Sequence, residues 1–279
     1  MIEIRVMTGG DLDFGGRLSE HAGWNQTTAD WRRFLALQPT GCFVAELEGQ
    51  LVGTVTTCVF DQVGWIGMML VDPAARRQGV GRALMKRSIE YLDSLEATSI
   101  RLDATPMGEP LYTSLGFKYQ YRLSRFTGNP VLPKDFTSPE DSQSPDWQAI
   151  AAFDEVLTGY SREKLLNRFG KEPNVHAFVV QEGSEILGYA CSRPGRLLPY
   201  VGPCMASSDA TGELLLQQTL HQYSGQSIIM DVPNDNCQAT EAVRSFGLKP
   251  VRDLVRMCRG EYVSESIGAL WVSGGPEKG

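Results

Sequence analysis

Three short segments in the first half of the chain recur, in the same order, in the second half. FVAELEGQLVGTV (43–55) resembles FVVQEGSEILGYA (178–190), SIRLDATP (99–106) resembles SIIMDVPN (227–234), and SLGF (114–117) resembles SFGL (245–248). Ordered similarities of this kind indicate an internal duplication. A chain of 279 residues also favours two domains over one. We therefore expect two related domains.

Hydrophobic periodicity gives the order of the elements in the first half. A helix, a hairpin and a third strand are followed by a helix, a strand, a short helix and a last strand. The predicted elements cover residues 30–37, 42–47, 51–60, 64–71, 79–95, 99–103, 109–115 and 117–126. This order predicts an α/β fold in which each domain has a mixed, mostly antiparallel sheet with helices on both faces.

A proline-rich segment separates the two halves. Residues 129–145 contain four prolines and few apolar side chains, which is typical of a linker. We therefore assign residues 1–128 to the first domain and residues 146–279 to the second. The last seven residues, SGGPEKG, are expected to be flexible.

The segment VDPAARRQGVGRAL (71–84) joins a predicted strand to a predicted helix. A P-loop does not fit, because Arg82 and Ala83 follow Gly81, and a dinucleotide-binding turn fits poorly, because Leu84 takes the place of its third glycine. The first N–H groups of a helix have no partners within it and attract anions. Two glycines leave room for a diphosphate there, and the arginines add charge-assisted contacts.

The stretch MLVDPAARRQGVGRAL resembles the acetyl-CoA signature of the GNAT superfamily of N-acetyltransferases, and LYTSLGF (111–117) resembles the helix after that family's fifth strand. The resemblance implies that the fourth and fifth strands splay apart and that acetyl-CoA, the co-substrate, lies between them. It implies contacts with the coenzyme from Met69, Leu70, Val71, Arg76, Arg77, Gln78, Gly79, Val80, Gly81 and Arg82.

The resemblance also implies roles in catalysis. Tyr112 matches the family's tyrosine acid, which protonates the leaving thiolate, and the Leu70 N–H would bind the oxyanion. Thr105 and Gly108 depart from the family's Asn and Ala. The fourth strand, GWIGMMLV, carries no carboxylate, so a base would have to act through water, and we assign none of the candidates Glu20, His21 and Asp103.

The segment HAGWNQTTADW (21–31) corresponds to a wall of the acceptor cleft in such folds. Trp24 and Asn25 are therefore candidate substrate contacts. The alternative is a helix cap, formed by Thr27 or Thr28, beside a buried tryptophan.

The second half lacks the coenzyme loop. Its corresponding stretch, GPCMASSDATGELLLQQ (202–218), has no arginine and no Gly-x-Gly, and Asp209 and Glu213 would repel a diphosphate. Val243 stands near the position that corresponds to Tyr112. We therefore predict a degenerate GNAT-like domain and one acetyl-CoA per chain. Side chains that could line a cleft between the halves are Tyr189, Leu197, Leu198 and Tyr200.

Composition limits the remaining function classes. A net charge of −7 argues against a nucleic-acid partner, and no apolar run is long enough to span a membrane. The scattered cysteines and histidines predict reduced thiols, no metal site and a cytoplasmic location. We expect an N-acetyltransferase for a primary amine of a small molecule. A non-catalytic acyl-CoA-binding regulator and a protein or peptide acetyltransferase stay open, and the sequence does not indicate the oligomeric state.

Overall fold

A computed structural model describes residues 1–133, 136 and 145–279. The elements of the first half are β1 (Ile2–Val6), α1 (Leu12–His21), α2 (Thr28–Leu37), β2 (Cys42–Leu47), β3 (Gln50–Phe60), β4 (Val63–Val71), α3 (Val80–Ser94), β5 (Ser99–Ala104), α4 (Glu109–Ser114) and β6 (Lys118–Gly128). Every element predicted for this half is present, and only β1 and α1 were not predicted. The N-cap of α2 is Thr27, in a capping box with Asp30.

The second half repeats this order without a counterpart of β1 and adds a last strand. Its elements are α5 (Trp147–Thr158), α6 (Glu163–Phe169), β7 (His176–Glu182), β8 (Glu185–Arg193), β9 (Tyr200–Ala206), α7 (Asp209–His221), β10 (Ile228–Pro233), α8 (Cys237–Ser245), β11 (Lys249–Gly260) and β12 (Leu270–Val272). Residues 134, 135 and 137–144 of the predicted linker lie outside the described part of the chain.

The strands of both halves form one mixed sheet in the order β1-β2-β3-β4-β5-β11-β6-β10-β9-β8-β7, with β12 paired to β9. The pairs β4–β5 and β9–β10 are parallel and the others are antiparallel. The mixed, mostly antiparallel sheet is confirmed. The halves do not form two separate sheets, however, because β11 pairs with β5 and β6 pairs with β10. Strands β6 and β11 occupy corresponding positions in the two halves, and they have exchanged places between them.

Helices cover both faces of the sheet in the first half. On one face, Leu84 and Leu92 of α3 pack against the buried side chains of β5 and the start of α4. On the other face, Trp31 and Phe34 of α2 pack with α1 and with Met68 of β4. Burial of these apolar side chains on both faces holds β4 rigidly between two layers.

The last residues of the chain are buried, so the prediction that SGGPEKG is flexible was wrong. Ser273 and Lys278 have no exposed surface, and the Arg162 guanidinium donates to the Gly279 carbonyl over 2.8 Å. The segment runs between the two halves and reaches the side of β4, where Glu277 lies against Gly67. The polar composition of this segment did not indicate burial. The contacts that bury it come from both halves, which are distant in sequence.

No helix in the described part of the chain is both long enough and apolar enough to cross a membrane.

Candidate active site

The parallel strands β4 and β5 pair only over their first residues. Val63, Gly64 and Trp65 lie opposite Ser99, Ile100 and Arg101, and the strands diverge beyond these pairs. A bulge places two residues, Met68 and Met69, where β3 supplies only Val55, and Met68 has a φ of 50°. The result is a V-shaped gap whose sides are the ends of β4 and β5.

The glycine loop opens beside this gap. Gly79, with a φ of 86°, is the N-cap of α3, and a β-carbon on Gly81 would lie 3.0 Å from Met69 Cε. The start of α3 therefore lies close to β4. Arg76, Arg77, Gln78 and Gly79 are exposed, so no side chain of the loop is packed over this helix start.

The arginines around the helix start are free of carboxylates within the residues that the structure describes. Arg76 Nε donates to the Val71 carbonyl over 3.3 Å, and Arg82 donates to Ser114 Oγ over 2.9 Å. Gln78 donates to the Ala74 carbonyl over 3.1 Å. The positive charges and the unpaired end of the helix together form a positively charged surface at the mouth of the gap.

A cleft that is partly open to solvent continues from this gap towards the second half. Its lining residues are Trp24, Gln26, Ile66, Gly67, Met68, Met69, Leu102, Asp103, Thr105, Tyr112, Arg252, Leu254, Pro276 and Glu277. The last four belong to the second half, so both halves form the cleft.

Tyr112 is largely buried in α4, and its side chain lines the cleft. Burial raises the pKa of Tyr112 to about 12, so the phenol is protonated at neutral pH. Its hydroxyl has no hydrogen-bond partner among the described residues. It is therefore a hydrogen-bond donor available to a ligand in the cleft.

The predicted oxyanion donor does not fit the strand register. Asp72 donates its N–H to the Val52 carbonyl of β3, and Leu70 lies directly opposite Thr54. Because successive N–H groups of a strand point to opposite edges, the Leu70 N–H points to β3 and the Val71 N–H points to the gap. Val71 is thus the residue whose N–H can pair with a ligand between the strands.

The three candidate bases lie in different places. Glu20 and His21 are exposed on α1 and do not line the cleft, whereas Asp103 does. Arg256 of β11 holds Asp103 through two bonds of 2.6 and 2.9 Å. Burial raises the pKa of Asp103, and Arg256 opposes this effect. Both carboxylate oxygens of Asp103 are thus engaged by Arg256.

Trp24 and Asn25 face different surroundings. Trp24 lines the cleft, but Asn25 does not. The Asn25 amide donates to the Leu198 carbonyl over 2.8 Å and accepts the N–H groups of Leu197 and Leu198. Its polar atoms are therefore occupied in joining the halves, and they are not available to a substrate.

Four side chains between residues 189 and 200 were expected to line a cleft between the halves, and none of them lines the cleft described above. Tyr189 is buried against Asp154, Tyr200 donates to Asp231, and Leu197 is exposed. The cleft instead contains Arg252 and Glu277, which sequence analysis missed. Neither residue lies in a recognisable motif. Arg252 reaches the cleft through the strand exchange, and Glu277 reaches it through the buried C-terminal segment.

The corresponding gap in the second half is filled by the chain itself. Strands β9 and β10 pair only at Tyr200 and Ile229, and β12 lies between them. Leu270 and Val272 pair with β9, and the Ser273 N–H donates to the Asp231 carbonyl of β10 over 2.9 Å. Ser208 caps α7 by accepting the Thr211 N–H. This half therefore offers neither an open gap nor a free helix start.

Comparison with known proteins places both halves in one superfamily. Residues 14–117 match the profile described as "Acetyltransferase (GNAT) family", and residues 150–271 match that described as "Acetyltransferase (GNAT) domain". Holothin acyltransferase of Pseudoalteromonas sp. is 25% identical over 243 residues, which are 85% of this chain and 81% of that protein.

Two further similarities differ in extent. N-alpha-acetyltransferase 30 of Dictyostelium discoideum is 34% identical over 103 residues, which are 34% of this chain and 56% of that protein. An acetyltransferase homologue from Pyrococcus horikoshii has the same fold, with a TM-score of 0.85, 23% identity, and coverage of 100% of this chain and 96% of that one. The chain belongs to the GNAT superfamily and is an acyltransferase built from two GNAT domains in tandem.

Proposed function

We propose that this protein transfers an acetyl group from acetyl-CoA to a primary amine of a small molecule, with Tyr112 as the acid. The observation that carries the proposal is the open gap between β4 and β5, with the glycine loop at one end and Tyr112 at its side. A coenzyme thioester in this gap would lie beside the phenol, and its diphosphate beside the start of α3.

The proposed chemistry balances without a further reactant. The amine nitrogen attacks the thioester carbon, a C–N bond forms, and the C–S bond breaks. The amine loses a proton to solvent, Tyr112 supplies a proton to the departing thiolate, and Tyr112 regains its proton from solvent. Met69, Val71, Gly79 and Gly81 would contact the coenzyme, and Arg76, Arg77 and Arg82 would surround its phosphates.

We propose that the catalytic domain comprises residues 1–128 and that residues 129–145 link it to a second domain, 146–279, without a coenzyme loop. The filled gap between β9 and β10 supports this division of labour. In space, β11 of the second domain completes the sheet of the first.

A small acceptor suits the cleft. It is only partly open to solvent, and residues from both halves form its walls. Holothin acyltransferase, which matches this chain over most of its length, carries the name of an individual acceptor molecule.

A protein N-terminus is the second candidate acceptor. The similarity of part of the chain to N-alpha-acetyltransferase 30 favours it. A protein substrate would need to enter the cleft past the second half and the buried C-terminal segment.

Thiol release from acetyl-CoA tests the proposal, with a panel of primary amines and a panel of short peptides. We expect release with at least one small amine and formation of its N-acetyl product by mass spectrometry. Acetyl-CoA binding without release from any acceptor would indicate a binding protein and contradict the proposal. Release with peptides alone would favour the second candidate.

A further inference from the structure

The charged side chains of the cleft differ in how they are neutralised. Asp103 is paired with Arg256. Glu277 contacts Lys278 and lies 3.8 Å from Arg193, and it accepts a hydrogen bond of 3.1 Å from Gln26 Nε2. Both acidic groups of the cleft therefore have cationic partners in the protein.

Arg252 has no such partner. Its guanidinium forms no ion pair and no hydrogen bond with any part of the chain that the structure describes, and its Nε is fully buried. The side chain is only partly exposed and lines the cleft. A positive charge in such a place costs free energy unless an anion accompanies it.

The surroundings of Arg252 increase the free-energy cost of its positive charge. It lies opposite Arg125 of β6, next to an irregularity in the β6–β11 pairing at Pro250. The carboxylate within reach, Asp231, is already bound by Arg125 through two bonds of 2.7 Å. Burial and the charge of Arg125 lower the pKa of Arg252.

We propose that Arg252 binds an anionic group carried by the acceptor, so that the substrate is an amine that also bears a carboxylate or a phosphate. The inference rests on the proposed function, since it deals with the same cleft as Tyr112. A guanidinium can bind either anion through two parallel N–H donors, which would also orient the amine within the cleft. The second domain would then select the substrate of the first.

Matched acceptor pairs test the inference. We would compare L-phenylalanine with phenethylamine, L-lysine with cadaverine, and phosphoethanolamine with ethanolamine. Each pair is assayed by thiol release and by calorimetric binding to the protein saturated with coenzyme A. We expect the anionic member of the carboxylate pairs or of the phosphate pair to be favoured at least about tenfold in kcat/KM or in affinity.

The variant Arg252→Gln should lower kcat/KM for the anionic member about 10- to 100-fold and leave the neutral member unchanged. Arg252→Lys, which keeps the charge, should recover part of the preference. Arg32→Gln, an exposed position on α2, removes one positive charge elsewhere and should behave as the wild type. Thermal unfolding establishes that each variant is folded.

Equal use of both members of every pair by the wild-type protein would overturn the inference, as would an equal effect of Arg252→Gln on both. Failure of the proposed function has a different signature. In that case no amine releases thiol, while calorimetry still reports whether anionic amines bind through Arg252. Absence of any binding preference for the anionic members would overturn the inference in that case too.

Discussion

The ring of Tyr112 lies directly against the backbone of Gly108. A β-carbon at residue 108 would be 2.7 Å from Tyr112 Cε2 and 3.1 Å from the phenolic oxygen. Residue 108 departs from the alanine usual in the family, and this contact gives the physical reason. Because Gly108 has ordinary right-handed dihedral angles, the glycine serves packing and not backbone conformation.

The first prediction follows from this contact. Gly108→Ala should displace the Tyr112 ring and lower kcat about tenfold or more, because a misplaced acid transfers its proton poorly. Steady-state kinetics measures the effect, and the KM for acetyl-CoA should change little. Gly16→Ala is the matched control, since Gly16 lies within α1 and has open space around it. Unaltered kcat in Gly108→Ala would show that the ring position is unimportant.

Removal of the phenolic hydroxyl should affect turnover and not coenzyme binding. We expect Tyr112→Phe to lower kcat about 10²- to 10⁴-fold, the range for loss of a general acid. Calorimetry should give an acetyl-CoA affinity close to that of the wild type. Tyr119→Phe, at an exposed tyrosine on β6, is the control. A Tyr112→Phe enzyme with full turnover would remove the tyrosine from the mechanism.

The protein should bind one acetyl-CoA per chain. The gap in the first half is open, whereas β12 fills the corresponding gap in the second. Gly79→Val should abolish the single binding event measured by calorimetry. A valine side chain would be strained at this positive φ, and it would also occupy the space that the diphosphate needs. Gly225→Val imposes similar backbone strain in a turn of the second half and should leave the stoichiometry at one. Two equivalent sites in the wild type would contradict this assignment.

Lys278 should make the free energy of unfolding depend on pH in the alkaline range. Burial lowers the pKa of Lys278 to about 8, against 10.5 for the free side chain. Between these values the unfolded chain binds more protons than the folded one, so the free energy of unfolding rises with pH. The rise is about 3.5 kcal/mol at most, since one pKa unit corresponds to about 1.4 kcal/mol.

Urea denaturation at about pH 7, below both pKa values, and at about pH 10, between them, measures this rise. Lys278→Met should reduce it, and Lys171→Met, at an exposed lysine, should not. An undiminished rise in Lys278→Met would assign the pH dependence to other groups.

Local patterns accounted for most elements of the first half and for the glycine loop, because hydrophobic periodicity and helix starts depend on residues that are close in sequence. The exchange of β6 and β11 could not be predicted in this way. These strands correspond to each other in the duplication, so either could pair with β5 on hydrophobic pattern alone. For the same reason Arg252 was missed and Asn25 was wrongly taken as a substrate contact. The surroundings of each residue include side chains or backbone of the other half.

The buried C-terminal segment shows a second limit of sequence analysis. Its glycines, proline and charges are typical of a flexible tail. In the structure, β12 completes the second half, and Glu277 and Gly279 reach the first. Contacts between segments so far apart in sequence leave no local signal.

The exchange of β6 and β11 also determines when the protein can finish folding. During synthesis the first half leaves the ribosome before residues 249–260, the strand that pairs with β5 in the finished structure, have been made. Until then it exposes an unpaired strand edge, which is a hazard for aggregation. The two halves consequently resemble a domain-swapped dimer fused into one polypeptide, and separating them at the gene level should yield two incomplete proteins.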